Sequence, residues 1–215
     1  MTSPRVIPAS QVTADDVAAW LSGGAIVVLP TETVYGLAAK PGTASSIRRI
    51  FELKGRPREL NLPVLIGSTD QLTELGVDFN ETARRLANAF WPGPLTIVMG
   101  FRPDRARPAW LSGRVEVAIR LPAFQLLRTV ANTAGPILLT SANGHGTGPK
   151  DVAREAVDSL HGTPDFVVDG GTLASTPSTI VNTRRSPARI ERMGAITAAD
   201  LREFIESRTV VVGSE

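Results

Sequence analysis

Short apolar runs of strand length alternate with helix-patterned segments along almost all of this 215-residue chain. That alternation predicts an α/β fold, because strand–helix–strand connections are how a sheet acquires flanking helices. The spacing predicts strands at Ala25–Leu29, Leu62–Ile66, Leu95–Phe101, Val115–Arg120, Pro136–Thr140, Phe166–Val168, Thr179–Asn182 and Ala188–Arg192. Helices are expected over Thr13–Ser22, Thr43–Lys54, Asp70–Leu75, Asn80–Trp91, Ala123–Thr133, Asp151–Leu160 and Ala198–Ser207. Thr13 is placed as an N-cap with acidic residues after it, and Pro92-Gly93-Pro94 ends the fourth helix because proline cannot continue one. No repeat, low-complexity segment or composition shift divides the chain. One domain over residues 12–206 is expected, between an N-terminal segment of residues 1–11 and a tail of residues 207–215.

Composition excludes several chemistries. There is no cysteine, so disulfides, thiolate metal sites and cysteine nucleophiles are out, which fits a cytoplasmic protein. No apolar run approaches the roughly 20 residues that span a bilayer, and Met1–Gln11 has no apolar signal region, so no membrane association is expected. Two histidines, His145 and His161, make a histidine-rich metal site unattractive, and no metal ligand is assigned. Neither a Gly-x-Gly-x-x-Gly nor a Gly-x-Ser-x-Gly pattern is present, and Gly148-Pro149-Lys150 breaks a phosphate-loop ending. Of the 23 basic residues only Lys40, Lys54 and Lys150 are lysines. Arginine forks suit phosphate and carboxylate, although codon bias alone accounts for many surface arginines. They crowd Arg48–Arg58 and the stretch holding Arg184, Arg185, Arg189 and Arg192.

Three stretches point to chemistry. Pro30-Thr31-Glu32-Thr33-Val34-Tyr35-Gly36-Leu37 follows a buried strand and puts hydroxyls and a carboxylate where α/β sheets bind ligands, with Gly36 read as a turn or close-approach position. A polar loop with a capping threonine fits the same residues. Lys54-Gly55-Arg56-Pro57 suits phosphate neutralisation or, equally, complements a helix C-terminus. Thr140-Ser141-Ala142-Asn143-Gly144-His145-Gly146 leaves backbone N–H groups open to a nucleotide, or is an ordinary turn.

With Phe-Trp-Pro-Gly-Pro-Leu-Thr at 90–96, Val-Ala-Ile-Arg-Leu-Pro at 117–122, Asp-Gly-Gly at 169–171, Ser-Thr-Ile-Val at 178–181 and Arg-Met-Gly-Ala-Ile at 192–196, these stretches resemble, in order, the YrdC-like family of threonylcarbamoyl-AMP synthases. The resemblance implies a single twisted, open, mixed sheet with flanking helices around a large positively charged cavity, in the short single-domain form. It implies synthesis of threonylcarbamoyl-AMP from L-threonine, bicarbonate or CO2, and ATP with Mg²⁺. The product would pass to a tRNA-modifying threonylcarbamoyl transferase, with tRNA contact as a further expectation. By resemblance, Lys54 and Arg56 carry catalysis and hold the triphosphate, and Ser141, Asn143 and Arg192 bind the nucleotide. Thr31, Arg120 and Ser178 bind threonine. A carbamoyl-AMP-dependent carbamoyltransferase domain and a non-catalytic RNA-binding module are the competing readings. Several positions depart from the family pattern. The loop after Lys-Gly-Arg-Pro reads Arg58-Glu59-Leu60-Asn61-Leu62-Pro63, so no role is carried over to Asn61. Gly67 stands about where a histidine is common, His145 replaces a serine, and Asn182 an aspartate.

Overall fold

A computed structural model describes residues 4–42, 44–57, 60–174 and 176–205. Ten strands form one sheet: β1 Arg5–Pro8, β2 Val27–Leu29, β3 Gly36–Ala39, β4 Val64–Leu65, β5 Leu95–Met99, β6 Val117–Arg120, β7 Ile137–Ser141, β8 Phe166–Asp169, β9 Thr179–Asn182 and β10 Arg189–Arg192. Among the described residues seven α-helices accompany them: α1 Ala14–Ser22, α2 Ala44–Lys54, α3 Gln71–Glu74, α4 Glu81–Phe90, α5 Gln125–Ala134, α6 Ala153–Asp158 and α7 Ala198–Ile205. The strand order is β1-β8-β2-β3-β7-β4-β6-β5-β9-β10. Pairs β1–β8, β2–β8, β4–β6 and β5–β9 are parallel, and the other five are antiparallel. The expected open mixed sheet is therefore present.

Two strands escape the sequence reading. β3 begins at Gly36, so Gly36 is not a turn residue: it pairs with Leu29 on one side and Ser141 on the other. A Cβ there would lie 2.7 Å from Leu139 Cδ1, so the requirement for glycine is one of space. β1 lies inside the segment expected to precede the domain and pairs along β8. The expected tail, residues 207–215, and the end of the last expected helix lie outside the described residues.

Side-chain alternation along the central strands fills both faces of the sheet. Val28, Leu37 and Ala39 enter a core with Ile50 and Phe51 of α2 and with Ala83, Leu86 and Ala87 of α4. Val27, Leu29 and Ala38 enter the other core with Val17, Ala18 and Leu21 of α1 and Leu127, Val130 and Ala131 of α5. α1 starts where expected: Thr13 and Asp16 form a reciprocal capping box. Asn80 caps α4 through Ala83 N and also donates to Thr183 O, 2.8 Å away, which ties α4 to the β9–β10 turn. Among the described residues no helix is long and apolar enough to cross a membrane.

Candidate functional site

β2 and β3 are antiparallel neighbours, so Pro30–Tyr35 is the connection between them. The Thr31 hydroxyl organises that connection. It accepts from Thr33 N and Val34 N at 2.9 and 3.0 Å and donates to Val34 O at 2.7 Å. The two threonine hydroxyls also lie 2.8 Å apart, in a hydrogen bond that either can donate. Thr33 in turn accepts from Arg120 Nη1 at 2.9 Å. Tyr35 reaches away to the end of β8, where its hydroxyl donates to Gly171 O at 2.6 Å and accepts from Gly170 N at 3.0 Å. Two separate sequence motifs are joined by that one phenol.

The loop opens onto a cavity of about 350 Å³, within the range of small-molecule sites. Seven of the eight residues singled out by the resemblance line it: Thr31, Arg56, Arg120, Ser141, Asn143, Ser178 and Arg192. They come from the β2–β3 connection, the residues after α2, β6, β7 and the loop after it, and both sides of the β9–β10 hairpin. Lys54 is the exception. It is 2% exposed and lies behind the wall, with Nζ donating to Ser141 O at 2.5 Å and Asn143 O at 2.7 Å. Burial, with Arg56 nearby as a smaller cause, lowers its pKa from 10.5 to about 8. Two of its three ammonium protons therefore hold the carbonyls at the end of β7 and in the loop after it.

The wall is cationic. Among the described residues Arg56, Arg120 and Arg192 line the cavity and no carboxylate does. Arg120, 8% exposed, is braced by three contacts: Nε donates to Gly93 O at 3.1 Å, Nη1 to Thr33, and Nη2 lies 2.7 Å from Glu32 Oε1. Nη2 has no hydrogen-bond partner despite that distance, so its pairing with Glu32 is Coulombic contact without an aligned N–H. Glu32 Oε1 is taken by Ala123 N at 2.6 Å. Arg192 clamps Ser178, donating to its carbonyl from Nε and Nη2 at 3.2 and 2.8 Å and to its hydroxyl at 3.1 Å. Burial, then the charge of Arg120, lowers the Arg192 pKa, and burial lowers that of Arg56. Guanidiniums pushed down by desolvation on one wall favour an anion in the space they share. Asn143 donates to Thr147 O at 2.6 Å and Gly144 O at 3.0 Å, which leaves its buried Oδ1 without a partner.

Thr33, Thr96 and Thr147 also line the cavity, and the sequence reading did not single them out. Thr96 shares a 2.8 Å hydrogen bond with Ser178, and its place in the Pro-Gly-Pro-Leu-Thr stretch was the available signal. Three of the departures from the family pattern, at Gly67, His145 and Asn182, are off the cavity wall. At Gly67 a Cβ would lie 2.2 Å from Asn132 Oδ1 and 2.5 Å from Arg128 O, so α5 excludes a histidine there. His145 is exposed and uses its backbone N–H, which donates to Lys54 O at 2.7 Å. Asn182 bridges Glu191 and Arg184 N within the hairpin.

The Sua5/YciO/YrdC family model, whose description reads telomere recombination, matches residues 19–194. The chain belongs to this family. The threonylcarbamoyl-AMP synthase of Pyrococcus abyssi is 34% identical over 191 residues, covering 87% of this chain and 56% of that protein. The Bacillus subtilis threonylcarbamoyl-AMP synthase is 35% identical, with 87% and 55% covered. This Sua5/YciO/YrdC chain thus spans little more than half the length of those two relatives. The crystal structure of P. abyssi Sua5 complexed with L-threonine superimposes with a TM-score of 0.82 at 30% identity, covering 95% of this chain and 61% of that one.

Proposed function

We propose that this chain carries the threonylcarbamoyl-AMP synthase activity for which its relatives are named. The observation that carries the reading is the convergence of Thr31, Arg56, Arg120, Ser141, Asn143, Ser178 and Arg192 on one cavity. In the reaction, the neutral amine of L-threonine adds to CO2 and loses a proton, giving a carbamate. A carbamate oxygen attacks the α-phosphorus of ATP, the bond to the bridging oxygen of the β-phosphate breaks, and pyrophosphate leaves. Mg²⁺ enters with the triphosphate, as part of the nucleotide substrate, held by phosphate oxygens and water.

The protein's share of this chemistry is positioning and charge neutralisation. Arg120 offers its remaining N–H groups to the threonine carboxylate, held in place by Gly93, Thr33 and Glu32. Thr31 shapes the loop beside it, and Ser178 presents a hydroxyl on the facing wall. Arg56 and Arg192 neutralise phosphate charge. Lys54 adds its charge from behind while it holds the carbonyls of Ser141 and Asn143, and the free Asn143 Oδ1 accepts from a ligand N–H or O–H. In the cytoplasm, a separate transferase would move the threonylcarbamoyl group to the adenosine beside the anticodon of tRNA.

Pyrophosphate release from ATP and bicarbonate, with and without L-threonine, tests the reading. Release that requires both threonine and bicarbonate is expected. Release driven by carbamoyl phosphate without threonine would move the chain to carbamoyl transfer, and folded protein that releases none would sink the enzyme reading. Replacing Arg56 by Ala should raise the ATP KM by about tenfold or more, since charge-assisted contacts contribute about 1.5–3 kcal/mol. Unchanged ATP kinetics would remove Arg56 from the nucleotide site.

A further inference from the structure

β5 runs from the reaction cavity, where Thr96 sits, to the opposite end of the sheet. There, about 17 Å away at strand rise, a second concavity of about 380 Å³ lies under the β5–β6 connection. Arg102, Arg105, Arg107 and Arg114 line it with Phe101, Pro103 and Val115, and no carboxylate does. Arg102 is already paired, donating to both oxygens of Asp104 at 3.1 and 2.9 Å. Arg105 feels the field of Asp104 without an ion pair. Arg107 is fixed in place: its Nη1 donates to Arg114 O at 2.8 Å, and its guanidinium lies 4.5 Å from the centre of the Phe101 ring. Arg114 is half-buried, its Nη1 is shut off from water with nothing to donate to, and burial lowers its pKa.

Arg102, Arg105 and Arg107 reach water and Arg114 is half-buried, yet all four border one concavity. Arg107 and Arg114 have no counter-charge in contact among the described residues. Desolvating an unpaired guanidinium is costly, and an anion in the concavity removes the cost. Beside it, Arg184 of the β9–β10 turn packs near Gly100 and pairs with Glu116, so that the nearest acidic group on β6's approach is already neutralised. We propose that this concavity is a second anion site, separate from the reaction cavity, which binds phosphate groups through Arg107 and Arg114 with Arg105 at its rim. Planar guanidinium forks match phosphate oxygens. The phosphate comes from a small phosphorylated molecule or from the backbone of an RNA.

The test titrates inorganic phosphate, by calorimetry, and a short labelled RNA duplex, by fluorescence anisotropy, into the wild-type protein and R107Q/R114Q. The reaction cavity is kept filled with α,β-methylene-ATP. Binding of at least one of the two should weaken about tenfold in the variant. Weakened phosphate binding with unchanged RNA binding assigns a small-molecule source. Weakened RNA binding, with a salt slope reduced by about two, assigns backbone phosphates. Equal binding of both probes by the two proteins, or no binding by the wild type, overturns the proposal. If R107Q/R114Q does not fold, R105Q at the exposed rim takes its place, with the salt slope reduced by about one and the other outcomes unchanged. Threonine-dependent pyrophosphate release should be unchanged in these variants, so a failure here leaves the reaction-cavity reading standing, and the converse holds.

Discussion

Lys54 is where burial and charge conflict most sharply. Its folded pKa of about 8 lies below its ordinary 10.5. Between those values the unfolded chain binds more protons than the folded one, so this group's contribution to stability rises with pH across that window, and below pH 8 the burial penalty is present in full. The full difference is on the order of 3 kcal/mol. The wild type should therefore gain stability over Lys54→Gln between pH 7.5 and 9.5 by chemical denaturation, while kcat/KM for ATP falls as the ammonium deprotonates. In Lys54→Arg that kinetic limb should shift to higher pH. Equal pH profiles for both would remove Lys54 from nucleotide binding. Arg120→Lys replaces a braced fork by a point charge that cannot serve Gly93, Thr33 and Glu32 together. The threonine KM should rise about tenfold or more, with the ATP KM nearly unchanged. The places of Arg56 and Ser141 on the cavity wall were legible in the sequence because a helix end and a strand end gave them an address. The engagement of Lys54 with two carbonyls was not, since it depends on how the loop after β7 closes over α2. Thr96 escaped because its partner, Ser178, lies 82 positions away.

At the scale of elements, the long periodic helices and the β-branched strands could be read directly, and so could the N-cap of α1 at Thr13. β3 could not. Gly36-Leu37-Ala38-Ala39 has no β-branched or aromatic residue and reads as a continuation of the loop. It is a strand because β2 and β7 pair with it on both sides, a tertiary effect that local propensity does not record. The turn after β4 gives the opposite lesson, for there packing explains a residue choice. Gly67 N donates to Gln71 at 2.8 Å and its Cα faces α5 at contact distance. Restoring the histidine common in relatives, Gly67→His, should cost about 1–3 kcal/mol through overpacking and lower the melting temperature by several degrees. A gain in activity without loss of stability would show that α5 yields. The same reasoning applies to Gly194, where a Cβ would lie 2.2 Å from Pro177 O, beside the Ser178 that Arg192 clamps.

At the scale of the molecule, the cavity belongs to no single segment. Tyr35 joins the β2–β3 connection to the end of β8, more than 130 residues onward. Tyr35→Phe should cost about 1–3 kcal/mol, because Gly170 N and Gly171 O lose their partner, and a urea unfolding midpoint would register it. Sheet order explains why the whole was harder to read than its parts. Neighbours such as β5 and β9 are far apart in sequence, and nothing local to either specifies the pairing. The same order bears on synthesis. Among the described residues β9 and β10 come last in chain order, and they lie at the edge beside β5, bringing Ser178 and Arg192 to the cavity wall. Without that hairpin the cavity would lack the wall formed by Ser178 and Arg192 and would stand open on one side. Ligand capture by chains stalled before and after Arg192 should therefore differ, and equal capture would show that the hairpin wall is dispensable for binding.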